Sequence, residues 1–213
     1  IEHFAALENG LRAVHARTLM AKSRLLRISG KIEQETDETE PFFNTAIHAV
    51  PAAHFNDLYD ALEETEAMRE MAAAFRAGAR AITDLSDQSF LDAARAHTAV
   101  LEMMKRHEAD AITIECLFLK HRKPCLSFAT NNGMLIPCGC ENDVNATLSM
   151  MLGAYLFDRP GFQHNPEFDT VENRYFASHC TCTPQLHGAD QPPVPYDFRP
   201  FFHQMPKTPA LDV

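Results

Sequence analysis

The chain has 213 residues, 46% of them hydrophobic and 23% charged, and carries a net charge of −10 at neutral pH. That length suits one large domain with a sizeable core. The acidic balance argues against a nucleic-acid surface, which needs clustered Lys and Arg to neutralise phosphates. No apolar run reaches the ~20 residues of a membrane span, and no signal peptide is visible.

In chain order, "IEHFAALENGLRAVHARTLMAKS" spaces Phe4, Leu7, Leu11, Val14 and Leu19 as an amphipathic helix with a basic last turn. "RLLRISG" reads as a short strand ended by Gly30, and the acidic "KIEQETDETE" as a surface loop. One long helix is expected over 55–79, with Phe55, Leu58, Leu62, Met68, Met71 and Phe75 on a shared face and Gly78 as its stop. Ser86 is placed to cap the next helix, whose stripe includes Phe90, Ala93, Val100 and Met104.

"DAITIECLFL" and "KPCLSFAT" read as two buried strands, the second closed by the turn "NNG". Asn142 or Asp143 then caps a helix carrying Val144, Leu148, Met151, Leu152 and Tyr155. This alternation predicts an α/β (Rossmann-like) domain over residues 1–158, with an N-terminal connecting helix and a mostly parallel sheet flanked by helices. Seven prolines fall between 184 and 209, and this change of texture predicts the start of a β-rich C-terminal module over 159–213. The sequence begins at Ile1 and stops inside the proline-rich "FFHQMPKTPALDV", so both ends are expected to be cut from a longer protein.

The chemistry-bearing stretches are "IPCGCEND" and "SHCTC". Six cysteines in a chain of this size do not make a small secreted disulfide framework, which implies a reducing, cytoplasmic setting. Cys116 and Cys125 lie in apolar runs and read as small core hydrophobes. Cys138, Cys140, Cys180 and Cys182 together form one candidate site, a closed tetrahedral zinc or iron–sulfur centre. Both pairs are spaced C-x-C instead of the usual C-x2-C, which favours buried thiols lining a core or pocket over ligands.

A second candidate set uses oxygen and nitrogen. Glu115 is the one charge inside "AITIECLFL", where a carboxylate is costly unless paired or bound to a metal; a strand-end ion pair with Lys120 or Arg122 is the plainer alternative. Asp143 sits at a strand end and helix mouth, where α/β proteins gather ligands, and plain helix capping explains it equally well. His179 is either a ligand facing a cavity or an ordinary hydrogen-bonded histidine. His15, His48, His97 and His107 have no carboxylate at ligand spacing and read as surface residues.

"ITIECLFL", "KPCLSFATNNGMLIPCGCENDVNATLSMMLGAYLFDRPGFQHNP" and "NRYFASHCT" resemble, in that order, the L-fucose isomerase-like fold family, which includes the L-arabinose isomerases. The resemblance is clearest over residues 82–188. It implies a metal-dependent ketol isomerase that interconverts an aldose and its ketose, of the deoxyhexose or pentose class, through an ene-diol. It further implies Mn2+ or another divalent metal held by Glu115, Asp143 and His179, with Glu115 and Asp143 moving the proton and His179 as a neutral ligand.

The same resemblance implies a small-molecule sugar substrate and a symmetric homo-oligomer, often a hexamer, with no nucleic-acid or membrane partner. Asn132 and Asn142 are candidate donors to sugar hydroxyls. Members of the family carry a further N-terminal domain and a completed β-module, and the cysteines around the three ligands depart from their pattern. The alternative function is a non-catalytic, zinc-stabilised binding or assembly subunit built on Cys138, Cys140, Cys180 and Cys182.

Overall fold

A computed structural model describes residues 2–201 and 207–213; Ile1 and residues 202–206 of the proline-rich stretch lie outside the described residues. A five-stranded sheet organises the chain: β1 (Arg24–Ser29), β2 (Thr36–Thr39), β3 (Ala46–Pro51), β4 (Ala111–Ile114) and β5 (Cys138–Cys140), in the order β2-β3-β1-β4-β5. β3, β1, β4 and β5 run parallel, and β2 closes one edge antiparallel to β3. The α/β class and the mostly parallel sheet are therefore as expected.

Period-two alternation sends neighbouring residues of β1 into different layers. Leu25 meets Met20 of α1 (Glu2–Lys22) and Leu148 and Met151 of α6 (Val144–Phe157). Leu26 and Ile28 meet the opposite layer: Phe55 of α2 (Ala52–Ala61), Val100 and Met103 of α4 (Asp87–Arg106), and Phe128 of α5 (Cys125–Gly133).

A third cluster joins Met68 and Ala72 of α3 (Glu66–Ala77) to Phe90, Leu126, Phe198 and Leu211. Phe198 and Leu211 belong to the hairpin β8 (Asp197–Pro200) and β9 (Pro209–Asp212), and the hairpin β6 (Asn165–Asp169) and β7 (Arg174–Ser178) precedes it. Small antiparallel sheets thus follow the α/β layer, as its change of texture predicts. β8 is also laced to the body, because Phe198 N–H donates to Ala81 and Thr83 N–H to Phe198.

Four local expectations need correction. The strand expected over "KPCLSFAT" is the helix α5, which buries eight of its nine residues. A helix buried on every side shows a continuous apolar run, which periodicity cannot tell from a buried strand. β4 ends at Ile114, and Cys116–Leu119 winds into a single 3-10 turn. The long helix over 55–79 is two, because Thr65 caps α3 by accepting from Met68 N–H, and the two pieces serve different cores. The acidic loop contains β2, an edge strand exposed at every residue, whose charges discourage pairing with another chain.

Phe4, Leu7, Leu11 and Val14 of α1 are all exposed, and the helix docks through Ala16 and Met20 near its end. No helix among the described residues is long and apolar enough to cross a membrane.

Candidate metal centre

The parallel strands deliver their carboxyl ends to one side of the sheet. The chain path reverses between β1 and β4, the position at which α/β sheets open a crevice. Glu115 stands there, buried, immediately after β4. Its Oε2 accepts from Ser29 Oγ and Gly30 N–H, both at 2.9 Å, and Oε1 pairs with Lys31 Nζ at 3.1 Å. Burial alone pushes this carboxyl up, but the hydrogen bonds from Ser29, Lys31 and Gly30 outweigh it and hold Glu115 below the ordinary glutamate value. Lys31, not the expected Lys120 or Arg122, is its ion-pair partner.

Asp143 is exposed and does what a plain N-cap does: Oδ1 accepts from Ala146 N–H at 2.8 Å at the start of α6. Neither carboxylate meets His179. Among the described residues, two groups of three His, Cys, Asp or Glu ligand atoms lie within 4.8 Å of one another: Cys140, His179 and Cys180, and Glu35, His48 and His107. Of the predicted oxygen-rich set, only His179 takes part. Manganese, which prefers hard oxygen ligands, does not fit two sulfurs and an imidazole; a zinc-type ion does.

The sulfur group extends further. Cys116 Sγ lies 3.1 Å from Cys140 Sγ, and Cys180 is hydrogen-bonded by the thiols of Cys125 and Cys140. Four cysteines from four separate segments therefore converge: the 3-10 turn, the start of α5, the end of β5 and the residues after β7. Those donors, together with His179 Nδ1 at 3.7 Å, hold the Cys180 thiol well below its ordinary range and make it the thiolate of the group.

Burial works against a proton on His179, but the bond and charge of Cys180, with Glu141 nearby, raise it above the ordinary imidazole value. Thr181 Oγ1, 3.1 Å from Nδ1, orients the ring. The hydrogen bond with Cys140 outweighs burial and holds the Cys116 thiol below its ordinary value, with smaller help from the Glu141 backbone and from the charge of buried Lys123, which donates to the Cys116 carbonyl. Cys138 and Cys182 stay outside the group; burial pushes their thiols up to about 12 and about 11. Of the four cysteines in the C-x-C pairs, then, only Cys140 and Cys180 belong to the centre.

The short strand that carries Cys140 is held on its open side by two side-chain amides. Asn132 brackets Cys138, accepting from its N–H at 2.7 Å and donating to its carbonyl at 3.1 Å. Gln163 brackets Cys140 in the same way, at 2.7 and 3.3 Å. Gly139 between them permits close approach of α6, because a Cβ there would fall 1.9 Å from Thr147 Oγ1. Asn132 is thus committed to the backbone and is not the free sugar donor expected, whereas Asn142 Oδ1 accepts from Arg27 Nε at 2.8 Å.

Glu141 and Asn142 both adopt left-handed backbone, at φ 62° and 61°. Asn tolerates this conformation, whereas for Glu it costs ~1–2 kcal/mol. A pocket of about 470 Å3 opens over the cysteines, and Glu141, Asn165, Ser178 and Arg199 line it with His179. A scan against models of protein families and a search of curated proteins each find no match to this chain.

Sequence reasoning missed Cys116, Cys125 and Glu141. The cysteines sit in apolar runs that look like ordinary core, and their convergence needs the helix α5 that was read as a strand. For Glu141 the available signal was its place in "CEND", one residue after Cys140 and two before the helix cap.

Proposed function

We propose that this chain is the metal-bearing core of a ketol isomerase acting on a small polyhydroxylated aldose–ketose pair, with the ion held by Cys140, His179 and Cys180. The observation that supports this reading is the convergence of two sulfurs and one imidazole within 4.8 Å on the wall of a polar pocket. Three protein ligands of this kind, with a further position open, are the pattern of catalytic zinc. The six free cysteines suit the reducing, cytoplasmic setting that such a centre needs.

When bound, the ion supplies Lewis-acid polarisation of a substrate oxygen. The residues around it divide the rest. Glu141, turned into the pocket by its left-handed backbone, takes the proton from one carbon and returns it to the next. Arg199, tied to Asp212 at 2.7 Å, and the amide of Asn165 orient hydroxyl groups. Glu115 is a positioning residue that fixes the turns after β1 and β4 through Ser29 and Gly30.

One observation favours a second reading. Cys116 Sγ lies 3.1 Å from Cys140 Sγ, outside the group of three, and a small shift of its turn would supply a fourth sulfur, giving a closed, structural zinc site and a non-catalytic binding or assembly subunit. Metal content by mass spectrometry, Co2+ absorption and a ketose-formation panel separate the two. The isomerase reading expects metal to be lost in Cys140→Ser and His179→Ala, kept in Asp143→Ala, and kept without turnover in Glu141→Gln. Metal kept in Cys140→Ser but lost in Asp143→Ala restores the oxygen ligands and rejects this centre. Tetrahedral Co2+ with thiolate bands and no turnover of any sugar selects the structural site.

A further inference from the structure

A second constellation lies at the other edge of the sheet, three strands away from β5, and takes no part in the thiolate centre. His48 on β3 stands opposite Asp37 on β2 in the antiparallel register. Its Nδ1 is 2.8 Å from Asp37 Oδ1 and its Nε2 is 3.2 Å from Glu35 Oε2. The other oxygen of Glu35 lies 3.2 Å from His54 Nδ1 on α2. His107, which ends α4, lays its ring 4.9 Å from that of His48, centroid to centroid.

A neutral imidazole has one N–H and one lone pair. If Asp37 accepts the Nδ1–H of His48, Nε2 keeps its lone pair 3.2 Å from a carboxylate oxygen with which it makes no hydrogen bond. A metal ion shared by the two would satisfy both acceptors. The ligand atom of His107 lies within 4.8 Å of those of both Glu35 and His48, so a metal uses all three. A carboxylate on the far nitrogen of a histidine is also the arrangement that commonly orients metal-binding imidazoles.

We propose that Glu35, His48 and His107, with His54 beside them, form a second divalent-metal site of the imidazole–carboxylate kind, selective for zinc and neighbouring transition metals. The site joins the edge hairpin β2–β3 to the end of α4 and the start of α2. Its donors are nitrogen and oxygen, so it differs from the thiolate centre in the spectrum of bound Co2+.

The test uses the full chain carrying Cys140→Ser and Cys180→Ser, titrated with Zn2+ and Co2+ by calorimetry and absorption. One equivalent of Zn2+ is expected to remain, with weak Co2+ bands and no sulfur charge-transfer. Asp37→Asn is expected to weaken this binding ~10–100-fold, and His107→Ala or Glu35→Gln to abolish it. Should the double cysteine variant not fold, the unmodified protein is expected to bind two equivalents, and Glu35→Gln, at an exposed position, to lose one. Folded protein that takes up no nitrogen- and oxygen-bound ion at millimolar Zn2+, or binding that survives both His107→Ala and Glu35→Gln, overturns the proposal.

Discussion

The floor and the wall of the pocket are built by different means. Cys116 and Cys140, on the floor, hang from the ends of β4 and β5, where Ile114 pairs with Cys140 in register and every residue of the two strands is buried. His179 and Cys180, on the wall, follow β7, a strand exposed at all five residues and paired only with the nearly as exposed β6. A two-stranded hairpin is marginal by itself. Of the three proposed ligands, Cys140 is thus held by the core, and His179 and Cys180 follow an exposed hairpin. An ion bound at the proposed centre would join the two parts, so metal affinity and order in the hairpin are expected to form one equilibrium.

The largest test of this division removes the anchor of β8, whose Arg199 and Pro200 also line the pocket. Phe198 is 1% exposed and packs edge-on against Phe90 at 5.0 Å, so Phe198→Ala should cost ~3–5 kcal/mol in urea denaturation. A loss below ~1 kcal/mol would show that β8 is not the support of the wall.

Next in size is the effect of the ion. Zn2+ at one hundred times its dissociation constant should add ~2.7 kcal/mol of stability. Hydrogen exchange should then slow most in β6–β7 and least in β4. Uniform slowing across the chain would remove the distinction between floor and wall.

Acid probes the body beneath the floor. His97, on α4, is buried against Ser127 of α5, and burial depresses it to about 4 from an ordinary 6.5. The unfolded chain therefore takes up a proton near 6.5 that the folded chain refuses until about 4, so stability falls as pH drops through that window. Glu115, held below the ordinary 4.5, adds stability above that value which is lost as pH falls through its depressed folded value. His97→Gln should flatten the upper part of a stability–pH curve, and Glu115→Gln the lower part. Unchanged curves in both variants would place acid sensitivity elsewhere.

The smallest effect is the most diagnostic for the floor's edge. Asp143→Ala should cost ~1 kcal/mol through the lost cap on α6 and leave metal content unchanged.

The α/β class and most of the helices were legible because their signals are local, whereas the order of the strands was not. Ser86 as an N-cap, the β-branched run 111–114 and the stripe around Phe90 each name their element. The site was not legible, because its geometry depends on contacts between distant segments. Cys125 and Cys180 are brought together only by α5, whose continuous burial disguised it as a strand. His48 seemed to lack a carboxylate because its partners, Asp37 on β2 and Glu35 just before it, lie in a stretch that composition labelled a loop. His97 read as surface for a similar reason, since Ser127 is adjacent only after α4 and α5 pack. The cap at Asp143 was found from sequence; Cys140, Cys180 and His179 were named there but divided between two candidate sets.

The two amides that close β5 also bear on how copies of this chain assemble. Outward backbone groups at Cys138 and Cys140 are already taken by Asn132 and Gln163, and the opposite margin is fenced by the charged β2. Neither margin of the five described strands invites another strand, so a symmetric assembly is expected to form through helical or hairpin faces and not by extending the ladder.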